Sequence, residues 1–438
     1  MYSKTSRNYY RSLRKKYRRT SPLKIVCFLL AAALVAFVAT YAFCTIVLNK
    51  NANETKPEAT NEPKTTETSY TMNGSTIAET ISMNPIQKDI ATQIITDAMT
   101  TDIATESEKE EEVLPQIYEG EFELPLQGAT VYALANAKLC DDSENKQTVN
   151  AGDALRIVSE EGDELVVTTA DGFTGKISSY KVMINLADVI PSIVYMDTNS
   201  VESVFQSSGY DIPGVTGVQF YDVWQYNERL GRTEFNMPII FATAKKVMAA
   251  QQMALSEGYS LKIVETYRPM DTQNQVITNL DALANTNSEV LDGITGKPWN
   301  KSWFIAQSIS NHQRGYAMDL TLVEVVETEI CTSGDYAYVN VCDYADVQMP
   351  TPIHELSMAS ATFTKPVPSR DATAWQGKEL APSMNEVAIR LQNYCTSAGF
   401  TPLASEWWHF NDLDAMNSSA GSLSDGGYFL QPNLSVIP

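Results

Sequence analysis

Histidine is scarce in this chain, with three in 438 residues: His312, His354 and His409. Cysteine is sparse too, with six, and no Cys-x-x-Cys pair occurs. That spacing is the mark of thiolate zinc sites, so its absence argues against one. Bases are also few, 32 Lys and Arg against 53 Asp and Glu, for a formal net charge of −21. Nine of those bases lie in residues 1–24, which hold no acid, so the rest of the chain is more acidic still. Nucleic-acid binding relies on Lys and Arg replacing phosphate counterions, and an acidic body excludes it as the expected partner.

Charge is missing altogether from Ile25–Leu48, a run of 24 residues. A helix needs about 20 apolar residues to cross a bilayer, and Lys/Arg-rich flanks stay in the cytoplasm. The run exceeds the roughly 7–15 residues of a signal-peptide core and lacks a small-x-small cleavage site. These features predict a basic cytoplasmic tail over 1–24, one transmembrane helix over 25–48, and everything after it outside the cytoplasm. Residues 49–118 are rich in Thr and Glu and poor in aromatics. Such a composition cannot bury enough apolar surface to offset chain entropy, which predicts a disordered stalk. Ile86, Ile90, Ile94 and Ile95 would suit a short helix over Pro85–Met99 within it. Outside the cell, Cys140, Cys331, Cys342 and Cys395 can hold disulfides. Cys331 and Cys342 flank the turn Ser333-Gly334-Asp335 and are a candidate hairpin staple, free buried thiols being the alternative.

Short alternating runs begin near residue 119. Thr130–Leu134, Ala154–Val158 and Glu164–Thr168 read as strands, separated by the turns Glu161-Gly162-Asp163 and Asp171-Gly172. They predict a small all-β barrel over 119–185. Residues 186–438 mix helices and strands without a regular βαβ rhythm, which favours α+β. A helix is expected to open at Pro238 and close at Gly258. A strand follows over Leu261–Thr266, then Tyr267-Arg268-Pro269. Ser383-Met384-Asn385-Glu386 is a capping box, starting a helix that runs to Gly399.

Two of the three histidines sit in motif-like stretches, Ser310–Asp319 and Glu406–His409. A catalytic zinc site uses three protein ligands and one open position, and neutral imidazole and carboxylate are suitable donors. His312, Asp319 and His409 would make such a set, with Glu406 as general base. The residues alone equally allow two unrelated histidines of the surface or core. Met318–Leu322 reads as a strand, so alternation sends Asp319 to one face and Met318 and Leu320 to the other. Glu406 and His409, three apart, need a turn or bulge between them to converge. Gly315 and Ala317 would let the backbone turn tightly. Ser310 either holds that turn or touches substrate, and Trp407 and Trp408 pack and wall the pocket.

The pattern Ser310-x-His312-x-x-Gly315-x-Ala317-x-Asp319, followed by Glu406-x-x-His409, resembles the VanY/VanX type of zinc D-Ala-D-Ala peptidases, over about residues 186–438. The resemblance implies an α+β zinc peptidase domain, with helices around a mainly antiparallel sheet. It implies Zn2+ on His312, Asp319 and His409, and Glu406 as catalytic base. It also gives Arg268, at the family's Tyr-Arg-Pro position, the task of polarising the scissile carbonyl; read alone, Arg268 is a structural ion-pair residue. Met349–His354 resembles the dipeptidases' Met-Gly-Thr-x-Phe-Asp stretch, with His354 where their ammonium-binding Asp stands. His354 is thus either substrate-facing or a surface-loop residue, and its identity disfavours a free dipeptide. Gly152-Asp153 and Asp171–Ile177 resemble bacterial SH3-like wall-binding domains. The expectation is a membrane-anchored, extracytoplasmic D-alanyl-D-alanine carboxypeptidase acting on peptidoglycan stem peptides. The alternatives are a dipeptidase for free D-Ala-D-Ala and a non-catalytic wall-binding protein.

Overall fold

Between residue 114 and the C-terminus, two sheets share one hydrophobic core. The structure, a computed structural model, describes residues 114–418 and 424–438. The expected tail, the transmembrane span and the stalk up to residue 113 lie outside the described residues.

The first sheet has eight strands in the order Pro238–Ile240, Val182–Asn185, Thr130–Ala133, Ala154–Glu161, Glu164–Thr169, Thr174–Ser178, Ala137–Cys140, Lys146–Val149. All its neighbours are antiparallel. The predicted strands and the Gly162 turn, at φ +65°, are present. Alternation buries Leu155, Ile157, Leu165 and Val167 on one face.

The second sheet has seven strands. Its main path runs Gln116–Ile117, Tyr336–Asp346, Ala317–Ser333, Tyr259–Glu265, Val194–Tyr195. The hairpin Thr401–Leu403 and Glu406–Asn411 joins it through the pairing of Glu406–Asn411 with Ala317–Asp319. Helices Phe241–Ser256 and Glu386–Ser397 pack together, the first also against Tyr259–Glu265. Asn385 caps the second helix by accepting from the Ala388 N–H, two residues beyond the expected Ser383.

The expected fold class is corrected in two respects. Among the described residues no helix is long and apolar enough to cross a membrane. The second sheet is mainly antiparallel, as expected, and only the short strands Gln116–Ile117 and Val194–Tyr195 join it in parallel. The β segment is not a self-contained barrel: Pro238–Ile240, expected as the first turn of a helix, instead pairs with Met183–Asn185. Ile239 and Ile240 are β-branched and favour a strand, and the helix starts only at Phe241. The C-terminal segment ties the same sheet down, with Ser435 bonding Thr130 and the buried Asp188. The predicted staple is also absent, since all four described cysteines are free. Register sets Cys331 opposite Tyr338, while Cys342 falls at an irregularity opposite Glu327 and Thr328.

Ile239 is fully buried in the shared core. Ile239→Ala should therefore destabilise the protein by about 2–5 kcal/mol in denaturant titrations. A loss under about 0.5 kcal/mol, the scale of a surface change, would show that this strand is not part of the core.

Candidate metal centre

Strand register builds the centre. Asp319 is the Cα partner of Glu265 on one side and of His409 on the other. The three side chains thus stand on one rung across three adjacent strands, while Met318 and Leu320 enter the apolar core as alternation requires. The irregularity expected near Glu406 exists: Leu403 pairs with Glu406 but Pro402 with Phe410. The three extra residues on that strand swing the ends of the motif together, and Glu406 Oε2 lies 3.8 Å from His409 Nδ1.

His312 arrives from a loop. Gly315, at φ +78°, turns the chain back, and a Cβ there would meet Met183 Sδ at 2.7 Å. Gly315 O accepts from Ile240 N–H at 2.7 Å, anchoring the loop to the first sheet. Ser310 Oγ donates to Gln313 Oε1 at 2.6 Å. Gln313 Nε2 in turn donates to Arg268 O at 2.7 Å. Ser310 thus holds the turn, and it also lines the adjoining cavity.

Three atoms converge. His312 Nε2 is 3.1 Å from His409 Nδ1, His409 Nδ1 is 2.9 Å from Asp319 Oδ1, and His312 Nε2 is 3.4 Å from Asp319 Oδ1. Ligand atoms about 2.0–2.1 Å from a tetrahedral ion lie about 3.3 Å apart, so this triangle has the right size. The outer nitrogens settle the tautomers. His312 Nδ1–H donates to Thr266 O at 2.7 Å, and His409 Nε2–H donates to Asn411 Oδ1 at 3.0 Å. Both inner nitrogens therefore turn lone pairs towards a carboxylate, an arrangement that calls for a cation and matches the usual support of metal-bound histidine. The buried His312, Asp319 and His409 could hold a metal ion.

Electrostatics agree. Burial would raise the Asp319 carboxyl, but His312 and His409 hold it well below the usual range. Burial lowers His312, whereas at His409 burial is outweighed by Asp319 together with Glu406 and Asn411, and the pKa is raised. Burial pushes Glu406 up to about 8.

Arg268 is buried, and its donors are largely committed. Nε donates to Glu265 Oε1 at 2.8 Å, and Nη1 to Gln273 Oε1 at 2.7 Å. Nη2 bonds Glu265 Oε2 and reaches Asp319 Oδ2 at 3.4 Å. The ion-pair reading therefore holds, and one Nη1 hydrogen is left on a side chain that lines the cavity. Glu265, Asp319 and His354 form a second group of possible ligands, but the guanidinium already bridges its two carboxylates.

His354 is neither on the surface nor facing substrate. It is fully buried, absent from the cavity lining, and donates from Nε2 to Asp319 Oδ2 at 3.1 Å. Its ring stacks on Phe205 at 4.2 Å. Both expected placements, substrate-facing and surface loop, are thus corrected, because the turn that carries His354 folds inward behind Asp319. Glu265, Gln313 and Asn411 were missed as supporting residues. Asn411, two residues after His409 and on the same strand face, was findable by alternation; Gln313, inside the motif, carried no such mark.

The cavity beside this group has a volume of about 200 Å³. His312, Asp319, His409, Glu406 and Arg268 line it together with Phe304, Ile305 and Trp408. No protein-family model matches the chain, and no curated protein matches it.

Two predictions follow from this geometry. Gly315→Ala, strained at positive φ and crowded by Met183, should lower both thermal stability and the metal bound per chain. Unchanged metal content would show that the loop tolerates the side chain. Glu406, with a folded value near 8 against an ordinary value near 4.5, keeps a proton in the metal-free fold that the unfolded chain has released. Its contribution to stability thus falls as pH rises between those values. Metal-free Glu406→Gln should lose less melting temperature than wild type from pH 5 to pH 8. Parallel pH profiles would contradict the raised pKa.

Proposed function

We propose that the protein is a zinc metallopeptidase that removes the terminal D-Ala from peptidoglycan stem peptides, outside the cytoplasm. The observation that carries this reading is the His312–Asp319–His409 triangle with the Glu406 carboxylate beside it, facing a cavity. The motif resemblance supplies the substrate class.

Two imidazoles, one carboxylate and an open side suit zinc in a catalytic setting. Zinc, when bound there, makes water a competent nucleophile near neutral pH. Glu406 accepts a proton from the attacking water and returns it to the leaving amine. A neighbouring cation favours its ionised form and so counters the burial that raises its pKa. Arg268, held by Glu265 and Gln273, offers its remaining Nη1–H to the charge developing on the scissile carbonyl. His354 orients Asp319 through its second oxygen.

An N-blocked peptide suits the cavity better than the free dipeptide. Among the described residues Asp319 and Glu406 are the only carboxylates of the lining, and both already have tasks. Nothing remains to pair with a free ammonium, and His354 lies behind Asp319.

With a stem pentapeptide, D-Ala release should stop on chelation and return with zinc. Glu406→Gln, still binding one zinc, should lose about 10²–10⁴-fold in rate. Release at the wild-type rate by that variant would overturn the assignment.

A further inference from the structure

Two arginines line the cavity, and they differ in how their charge is met. Arg268 faces Glu265 and Asp319. Arg370 sits on the turn after Pro368, is exposed, and makes no hydrogen bond or ion pair among the described residues. The nearest acid in the chain, Asp371, is turned away. Its Oδ1 accepts from the Thr373 N–H and hydroxyl, both at 2.9 Å, and from the Ala374 N–H at 3.1 Å. The lining carboxylates do not offset Arg370 either, since Asp319 belongs to the metal group and Glu406 to the base. Arg370 is thus a cation of the lining without a carboxylate of its own.

We propose that Arg370 receives the C-terminal carboxylate of the peptide and so sets the preference for a chain that ends one residue past the cut bond. The inference rests on the peptidase reading above. The carboxylate of a terminal residue lies one residue, about 3.8 Å of chain, beyond the bond to be cut. Its receptor must therefore line the same cavity as His312, Asp319 and His409, as Arg370 does. A planar guanidinium matches a carboxylate with two parallel N–H···O bonds, which a lysine cannot reproduce. A chain continuing past the scissile bond would present an uncharged amide there and leave that bonding unused.

The test uses the full, zinc-loaded chain and two N-acetylated peptides ending in D-Ala-D-Ala, one with a free carboxylate and one as the C-terminal amide. Wild type should prefer the carboxylate. Arg370→Gln should keep zinc and kcat but raise KM for the carboxylate about tenfold or more, as expected for a lost hydrogen bond to a charged group. It should leave the amide nearly unchanged, and Arg370→Lys should recover only part of the loss. Retention of the wild-type preference by Arg370→Gln would overturn the inference. Equal cleavage of both peptides by wild type would overturn it while leaving the peptidase reading intact. Cleavage of neither would overturn both.

Discussion

One cross-strand rung organises the centre: Glu265, Asp319 and His409, adjacent across three strands. Side chains paired this way stand about 4.5–5.5 Å apart at Cβ, so backbone hydrogen bonding fixes their spacing before any ligand arrives. Asp319 is its middle member and divides its oxygens: Oδ1 faces the histidines, Oδ2 faces Arg268 and His354. Everything else about the site serves to hold that carboxylate ionised and aimed.

Holding it so is costly, because a buried carboxylate without partners is strongly disfavoured. The protein meets this with charges on both sides. Arg268 neutralises Glu265 and reaches Asp319, and the two inner histidine nitrogens leave a place for a cation. Glu406 lies just outside this arrangement. It is buried with less compensation, and its raised pKa follows from that. A group poised between charged and neutral near the working pH is what proton transfer requires.

The two sheets are coupled for the same reason. The loop that carries His312 is pinned by Gly315 to Ile240, the last residue of the edge strand of the first sheet. The β segment expected to be a separate wall-binding module is therefore part of the scaffold that positions His312, a residue that could hold a metal ion. The C-terminal segment closes it from the other side, where Tyr428 stacks on Tyr267, the residue before Arg268. The same segment lies against Gln313 at Gly426 and accepts from Met270 N–H, beside the residues that hold Arg268 and the His312 loop.

Much of the centre was legible in the sequence because its motifs resemble those of a known family and local rules agree with them. Histidines are so few that their neighbours stood out, strand alternation placed Asp319 apart from Met318 and Leu320, and a spacing of three required the irregularity seen beside Glu406. The same rules failed where the outcome depended on partners distant in the chain. Pro238–Ile240 looked like a helix start, since only pairing with Met183–Asn185 makes it a strand. His354 could face substrate or sit on a surface loop as far as the sequence showed, because its burial depends on Phe205 and Asp319. Arg268 could be an ion-pair residue or a catalytic cation until Glu265 and Gln273 were seen to take most of its donors. Residue chemistry and short-range periodicity, written in the sequence, determined which groups could act. Long-range strand register, decided by packing of the whole core, determined which of them meet.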